Sequence, residues 1–256
     1  MRNLLLTISY LGTRYHGFQV QDNAITVAQV LQDAMESVMG ARDDIKGCSR
    51  TDSGVHAEEF CVSVKTQCRI PCDNLVKALN VKLPPDVAVK SCREVPEEFH
   101  ARYNSRGKRY EYRIHNAAYK DAFHYKSVLE HAYPLDEALL DREAKDFIGT
   151  HDFSAFCAAK TSVKDMVRTI YDCGVYRSGE QVTFYVEGDG FLYNMVRIMV
   201  GTLLGIAAGS IPQGSIPAII ESKNRSRAGA TAPAWGLYLC KVFYDEKDLM
   251  IGSPES

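Results

Sequence analysis

The chain has 256 residues, of which 46% are hydrophobic and 24% are charged. This composition is typical of a soluble globular protein and excludes a disordered or collagen-like chain. The 30 Lys and Arg residues nearly balance 32 Asp and Glu residues, so the formal net charge is -2. Any binding of nucleic acid must therefore use local basic patches.

The eight cysteines include no C-x-x-C pair that would suggest a zinc ribbon or a redox motif. We expect reduced and mostly buried thiols, as in a cytosolic protein. The longest apolar stretch, Met195 to Gly209, is too short for a membrane span and contains Arg197. The sequence therefore predicts a cytoplasmic protein with no membrane segment.

The first half of the chain shows alternating strand and helix patterns. A helix begins after a capping box formed by Thr26 and Gln29, and it ends at Gly40. A second, shorter helix is predicted over 73–80, before Pro84 and Pro85. Strands are predicted over 4–10, 45–49, 59–66 and 87–95. The resulting order is that of a split βαβ, or ferredoxin-like, unit.

The second half has the same order with one insertion. Strands are predicted over 110–115, 169–177, 181–187 and 237–244, and helices over 136–147, 194–208 and 216–222. We expect an α+β fold of two ferredoxin-like halves, residues 1–104 and 105–256. A cleft between two such halves is the usual place for a ligand.

The motifs of nucleotide and metal enzymes are absent from the sequence. It contains no G-x-x-x-x-G-K-[ST] loop and no dinucleotide fingerprint, and its seven histidines form no close metal pair. We therefore predict neither a cofactor nor a metal. One acidic residue, Asp52, lies in a turn between two apolar strands, although an aspartate close to a glycine is also ordinary turn chemistry.

The string Cys48 to Ala57, CSRTDSGVHA, resembles the catalytic motif of the tRNA pseudouridine synthases of the TruA type. Six further strings resemble motifs of that family and occur in the same order along nearly the whole chain. They are YHGFQ at 15–19, FHAR at 99–102, KRYEY at 108–112, GTHDFS at 149–154, FLYNMVR at 191–197 and TAPAWGLYL at 231–239.

The resemblance implies roles for five residues. Asp52 matches the catalytic aspartate, Tyr110 the aromatic residue against the target base, and Arg197 the arginine that pairs with the aspartate. Arg50 matches an arginine of the same loop, and Leu237 matches an apolar residue that lines the pocket. Without the motif, Tyr110 would be read as part of a cross-strand aromatic pair, and Arg197 as a charge extending to the surface.

The family further implies two ferredoxin-like halves joined in a long, mostly antiparallel sheet, with helices on one side and a central cleft. The first half would carry the aspartate loop, and the second would complete the cleft and the RNA-binding surface. The implied activity is isomerisation of uridines 38 to 40 in the anticodon stem-loop of tRNA by a homodimer without a cofactor. Ser53, where alanine is frequent, and Trp235, in a variable position, depart from the pattern.

RNA requires cations for its phosphates, and the positive charge of this chain is unevenly placed. We predict backbone contacts from one cluster over 102–113, a second over 223–227, and one residue near the YHGFQ string. The residues of this prediction are Arg102, Arg106, Lys108, Arg109, Lys223, Arg225, Arg227 and Arg14.

Three alternative functions are compatible with parts of this pattern. A pseudouridine synthase with a different RNA target would show much the same strings. Paired ferredoxin-like units with surface aromatic residues could bind RNA without modifying it. A hydrolase that cleaves a glycosidic bond would need a second carboxylate, and no comparable motif marks one. Neither the preferred uridine nor the choice between nucleophile and base for Asp52 follows from the sequence.

Overall fold

The computed structural model describes residues 1–158 and 163–245. The described chain divides into two compact units: one comprises Met1–Ser105 with Tyr238–Tyr244, and the other comprises Arg106–Leu237 with Asp245. Of the expected second half, residues 159–162 and 246–256 lie outside the described part. The α+β class is confirmed in both units.

Four antiparallel strands from the first hundred residues form most of the sheet of the first unit. Its strands are β1 (Arg2–Tyr10), β2 (Ile45–Gly47), β3 (His56–Thr66) and β4 (Val87–Val95). β1 pairs with both β4 and β3, and β2 pairs with β3, so the order is β4-β1-β3-β2. This is the strand order of the split βαβ arrangement that the sequence predicts.

Two helices accompany this sheet, α1 (Val27–Met39) and α2 (Cys72–Lys82). The hydroxyl of Thr26 caps α1 by accepting a hydrogen bond from the Gln29 amide at 3.3 Å. Gly40 ends the helix in the left-handed conformation, with φ of 77°. The start and the end of α1 are therefore those predicted from the sequence.

The second unit contains a second, mostly antiparallel set of strands. They are β5 (Gly107–His115), β6 (Leu129–Glu130), β7 (Gly149–Asp152), β8 (Val167–Ser178) and β9 (Gln181–Gly188). β5 pairs with β9, β9 with β8, and β8 with β7, all antiparallel. The two-residue β6 lies parallel to β5 and belongs to the insertion. The sequence pattern did not predict β6 or β7, because both are very short.

Three helices belong to the second unit: α3 (Glu137–Ala144), α4 (Met195–Ala207) and α5 (Ile216–Ser222). α4 is the most apolar of them, and Ile198, Met199 and Val200 are almost fully buried. Asn194, in a left-handed conformation with φ of 61°, precedes the helix and sets the direction from which the chain enters it. Among the described residues, no helix is long and apolar enough to cross a membrane.

The last strand, β10 (Leu237–Phe243), differs from the expected division of the chain. Tyr238 and Leu239 pair in parallel with His56 and Ala57 of β3, so most of β10 belongs to the first unit. The sequence assigned this strand to the second half. Pairing between residues about 180 positions apart leaves no local pattern in the sequence.

Gly201 in α4 provides a test of how closely this helix packs against the backbone at Ala230. A Cβ at this position would lie 1.7 Å from the carbonyl oxygen of Ala230. We expect Gly201→Ala to lower the free energy of unfolding by at least about 2 kcal/mol, measured by urea denaturation, because two backbones must separate. Gly205→Ala is the control: its nearest neighbour is the flexible end of Ile211, so we expect a smaller loss. Equal losses would contradict this packing.

Candidate active site

Asp52 lies in a tight turn that leads into β3. The Val55 amide donates to the Asp52 carbonyl oxygen at 3.2 Å and closes the turn. Gly54 has a positive φ of 82°, a conformation that glycine adopts without strain. The Asp52 side chain is half-buried, whereas that of Arg50 is exposed. The turn therefore holds a carboxylate at a defined place beside the start of a strand.

The loop that contains the YHGFQ string packs directly on this turn. The carbonyl oxygen of Tyr15 accepts hydrogen bonds from the Gly54 amide at 3.2 Å and from the Ser53 hydroxyl at 3.3 Å. The amide of Phe18 donates to the Thr51 carbonyl oxygen at 3.3 Å. Two strings that resemble one family are thus brought together in the first unit, although 28 residues, 20–47, lie between them in the sequence.

Two glycines permit this close approach of backbones. Gly17 has φ of 85°, and a Cβ there would lie 2.5 Å from the Thr51 carbonyl oxygen. A Cβ at Gly12 would lie 1.9 Å from the carbonyl oxygen of Val55. Any side chain at either position would push the loop away from the turn.

Buried polar side chains also hold the Asp52 turn and the adjoining loop in place. The hydroxyl groups of Tyr10 and Thr51 are 2.8 Å apart, and both side chains are buried. Nδ1 of His56 accepts the amide of Gly12 at 2.9 Å, and the fully buried His56 ring stacks on Tyr238 with centroids 4.6 Å apart. An imidazole that accepts through Nδ1 carries its proton on Nε2.

In the second unit, Tyr110 lies on β5 and is 6% exposed. Its ring meets that of Phe191 edge-on, with centroids 5.1 Å apart and an interplanar angle of 80°. Phe191 belongs to the FLYNMVR string, so the aromatic contact joins two family motifs. On the β9 side, Tyr110 lies directly opposite Val186, so its aromatic contact with Phe191 is made outside that strand pair.

Arg197 is anchored through two of its guanidinium nitrogens. Nε donates to the Ala232 carbonyl oxygen at 2.7 Å, and Nη1 donates to Oδ1 of Asn194 at 2.7 Å. The Ala232 amide in turn donates to the Arg197 carbonyl oxygen at 3.1 Å. These bonds fix the plane of a half-buried guanidinium, so the side chain does not simply extend to solvent.

The late TAPAWGLYL string packs against β5 at Tyr112. The Tyr112 hydroxyl donates to the Pro233 carbonyl oxygen at 2.8 Å, and a Cβ at Gly236 would lie 2.6 Å from the Tyr112 ring. Burial raises the pKa of Tyr112, and the positive charge of Arg197 opposes that shift. Leu237 follows directly and is buried, whereas Trp235 is 38% exposed.

The predicted RNA contacts differ in their surroundings. Exposed side chains are those of Arg14, Arg102, Arg106, Lys223 and Arg227. Arg14 forms an exposed ion pair with Asp86 at 3.3 Å. Lys223 binds Asp152 at 2.8 Å, and this contact is the first cause that lowers the pKa of Asp152. Arg225 is half-buried and donates to Thr231 and to the Ala228 carbonyl oxygen.

Lys108 and Arg109 have surroundings that do not suit binding of phosphate. Lys108 is 9% exposed. Arg109 binds Glu187 at 2.8 Å and Glu111 at 3.3 Å, and its guanidinium lies 4.5 Å from the centroid of the Tyr185 ring. Burial alone would lower the pKa of Arg109, but its two carboxylate partners raise it overall. The burial of Lys108 and the two carboxylate partners of Arg109 therefore argue against phosphate contacts from these residues.

All eight cysteines lie in the described part of the chain and none forms a disulfide; four are buried and four are half-buried. Over residues 1–158 and 163–245, no group of three or more His, Cys, Asp or Glu side chains is arranged so that it could hold a metal ion.

Comparison with known proteins agrees with the motifs. A family model described as tRNA pseudouridine synthase matches residues 6–104 and 144–245. The chain is 47% identical over 244 residues to tRNA pseudouridine synthase A of Acetivibrio thermocellus, covering 95% of this chain and 100% of that protein. It is 42% identical over 246 residues to tRNA pseudouridine synthase A of Exiguobacterium sibiricum, covering 96% and 98%. The chain belongs to the tRNA pseudouridine synthase family.

Several residues that support the motifs of this synthase family had no role in the sequence analysis. Tyr10, Thr51 and Gly12 hold the Asp52 turn, and Asn194 anchors Arg197. Thr51 and Asn194 lie inside quoted motifs, but nothing in the strings shows which atoms they bind. The close spacing of Gly12 and Gly17 was the available signal that two backbone segments meet there.

The Tyr10–Thr51 bond provides a test of how the turn of this family member is held. Tyr10→Phe removes one hydroxyl from a buried pair, and we expect a loss of about 1 kcal/mol in the free energy of unfolding. Amide exchange at Gly54 and Val55 should become faster, as measured by hydrogen exchange and mass spectrometry. In the Tyr10→Phe/Thr51→Val double variant the two losses of stability should not add, because both substitutions remove the same hydrogen bond.

Tyr244→Phe is the matched control for this test. It removes a hydrogen bond of 2.8 Å to the Ala101 carbonyl oxygen in the same unit. We expect a similar loss of stability and no change in exchange at residues 52–55. Faster exchange in this segment in both variants would mean that the Tyr10–Thr51 bond has no special relation to the turn.

Proposed function

We propose that this chain is an isomerase that converts uridine into pseudouridine in tRNA, at positions 38 to 40 of the anticodon stem-loop. The observation that carries the proposal is the match of the chain to the tRNA pseudouridine synthase family over both halves, with Asp52 in the matching catalytic string. The rigid turn that presents a half-buried carboxylate gives it physical support.

The reaction breaks the bond from C1′ of the ribose to N1 of uracil and joins C1′ to C5 of the same base; C5 then loses its proton and N1 gains one, so the atoms balance. It needs neither an electron acceptor nor a phosphoryl donor. A carboxylate can attack the sugar as a nucleophile or remove a proton from it as a base, and both roles require the ionised form. We propose Asp52 for this step and leave both roles open.

We propose that Arg197 is the partner of Asp52 in the reacting enzyme. A guanidinium beside a carboxylate favours its charged form and fixes its direction through paired hydrogen bonds. Arg197 is suited to this role because Nε and Nη1 are already held by Ala232 and Asn194, so the side chain loses little freedom on pairing. Preorganised charge of this kind is a large contribution to catalysis.

A uridine stacked in RNA cannot present its C1′ to a protein side chain, so the nucleotide must leave the stack. We propose that Tyr110 packs against the extruded base, with Leu237 as an apolar wall and Arg50 at the edge of the same pocket. The edge contact with Phe191 supports this proposal, because it holds the Tyr110 ring in one orientation. Stacking does not read the base sequence, so one pocket can accept neighbouring uridines.

The basic surface and the assembly complete the proposal. Arg14, Arg102, Arg106, Lys223, Arg225 and Arg227 would bind phosphates of tRNA. We propose a homodimer, since a tRNA contacted by two subunits would engage more cationic surface than one subunit offers. The first unit would carry the catalytic aspartate, and the second would contribute the base-binding residues. Because tRNA is the substrate, we propose the cytoplasm as the place of action.

Asp52→Asn tests the assignment of the catalytic residue. The amide can neither attack the sugar nor remove its proton, so we expect the rate of pseudouridine formation to fall at least about 10³-fold. The measurement is chemical mapping of pseudouridine after incubation with unmodified tRNA. Binding of that tRNA should change by less than about threefold, since the side chain keeps its size.

Asp22→Asn is the control, because Asp22 is exposed and lies outside the motif. It should keep the parent rate. Full turnover by Asp52→Asn would refute the catalytic assignment. An inactive parent that binds tRNA would instead favour a non-catalytic RNA-binding protein, and release of free uracil would favour a hydrolase.

Arg197→Lys tests the proposed partner. Lysine keeps the charge but cannot make the fixed fork of hydrogen bonds, so we expect kcat to fall about 10- to 100-fold with little change in KM. Asn194→Gly removes the anchor on Nη1 while it tolerates the positive φ at that position, and it should give a smaller loss in the same direction. A parent-like kcat in Arg197→Lys would show that a positioned guanidinium is not needed.

A further inference from the structure

The FHAR string continues into a loop, residues 100–104, with an unusual surface in the first unit. Tyr103 is 77% exposed, although a large aromatic side chain of a folded protein is normally well covered. Its ring stands against that of His100, with centroids 4.3 Å apart and an interplanar angle of 37°. The exposed aromatic ring is therefore supported from within the protein.

The backbone of this loop is firmly held. Ala101 is fully buried; its amide donates to the Ser63 hydroxyl at 3.0 Å, and its carbonyl oxygen accepts the Tyr244 hydroxyl at 2.8 Å. The loop also closes on itself, since the His100 amide donates to Asn104 Oδ1 at 2.8 Å and the Asn104 amide donates to the His100 carbonyl oxygen at 3.1 Å. A ring on such a loop loses little conformational entropy when a ligand binds.

One cation lies beside the exposed ring, and a second acts on the histidine that supports it. The Arg102 guanidinium lies 6.0 Å from the centroid of the Tyr103 ring. The pKa of His100 is lowered first by burial and then by the positive charges of Lys46 and Arg102. Nδ1 of His100 accepts the Arg102 amide at 3.1 Å, so this ring acts as a neutral support rather than as a third cation. Lys46 is exposed and forms an ion pair with Asp44.

A supported aromatic ring flanked by Lys and Arg side chains is the arrangement with which proteins bind single-stranded nucleic acid, by stacking a base and neutralising its phosphates. A protein partner would favour apolar neighbours and fewer cations at the centre of the contact. We propose that Tyr103 stacks on a nucleobase of tRNA other than the reacting uridine, while Arg102 and Lys46 bind the adjoining phosphates. This inference rests on the proposed function for the identity of the RNA.

The role differs from that of Tyr110. Tyr110 is buried and lies in the second unit among the residues proposed for the reaction, whereas Tyr103 is exposed and belongs to the first unit. Stacking at Tyr103 would therefore contribute to affinity for the whole RNA and not to the chemical step. The expected signature is a change in Kd and KM without a change in kcat.

The test uses the full chain carrying Asp52→Asn, so that unmodified tRNA binds without turnover, and it measures Kd by filter binding at fixed salt. Tyr103→Ala should weaken binding about 5- to 100-fold, the range expected for one base stacked on an aromatic ring. Tyr103→Phe, which keeps the aromatic face, should stay within about twofold of its parent. In the active chain, Tyr103→Ala should leave kcat at saturating tRNA unchanged.

Tyr133→Ala is the matched control. Tyr133 is also 77% exposed, and its ring also lies beside a histidine, His131, at 6.0 Å between centroids. It should leave Kd within about twofold of the parent. Arg102→Gln should weaken binding and reduce the slope of log Kd against log salt by about one, as expected for one lost phosphate contact.

Parent-like binding by Tyr103→Ala would overturn the inference, and so would an equal loss in Tyr133→Ala. A change in the molecular mass of the chain without RNA, by analytical ultracentrifugation, together with unchanged Kd, would show a protein interface and would also overturn it. Failure of the proposed function is seen separately, as absence of pseudouridine in the active parent. Because Tyr103 is exposed, its variants should keep the melting temperature of the parent.

Discussion

The close contact between the loop at Gly12–Phe18 and the turn at Asp52 is the constraint on which the first unit's chemistry depends. Hydrogen bonds from Gly54 and Ser53 to the Tyr15 carbonyl oxygen join the two segments, and a bond from Phe18 to Thr51 joins them again. A carboxylate in an isolated turn would sample many positions. Here its backbone is bonded on both sides of the residue, so the side chain starts from one defined place.

In the second unit, hydrogen bonds fix the position of a cationic side chain, that of Arg197. A guanidinium has a long and flexible stem, and fixing it costs about 2 kcal/mol of side-chain entropy. In this fold Asn194 and the Ala232 carbonyl oxygen accept hydrogen bonds from the Arg197 guanidinium and already hold it in one orientation. Three family strings meet at this point, since Tyr112 of β5 binds Pro233 and Tyr110 of β5 contacts Phe191. The clustering of these strings follows from packing within the unit.

Much of the fold could be predicted from the sequence, because the decisive signals are local. Thr26 and Gly40 bound α1 as the capping rules predict, alternation around Phe60, Val62 and Val64 indicates β3, and a run of strand-forming residues indicates β1. The transfer of β10 to the first unit could not be predicted in this way. It depends on parallel pairing of Tyr238 with His56, and only the three-dimensional structure brings such distant residues together.

For the candidate site, the sequence predicted the motif residues but not the contacts that hold them. The family strings identified Asp52, Tyr110 and Arg197, but not the groups that hold them in place. The hydroxyl pair of Tyr10 and Thr51 joins residues 41 positions apart, and neither residue type is unusual at its place in the chain. Support of a site by buried polar groups depends on geometry, and a linear pattern carries little information about it.

The basic residues show why a run of charges is a poor guide to a binding surface. Along 102–113, five cations lie close together in sequence, yet a strand turns successive residues to opposite sides. Lys108 is buried as a result, and Arg109 is opposite Glu187 in the pairing of β5 with β9. Arg102 and Arg106 precede the strand and stay exposed. The available positive charge therefore lies in the loop before β5, beside the supported ring of Tyr103, and the strand itself uses its charges to hold the sheet together.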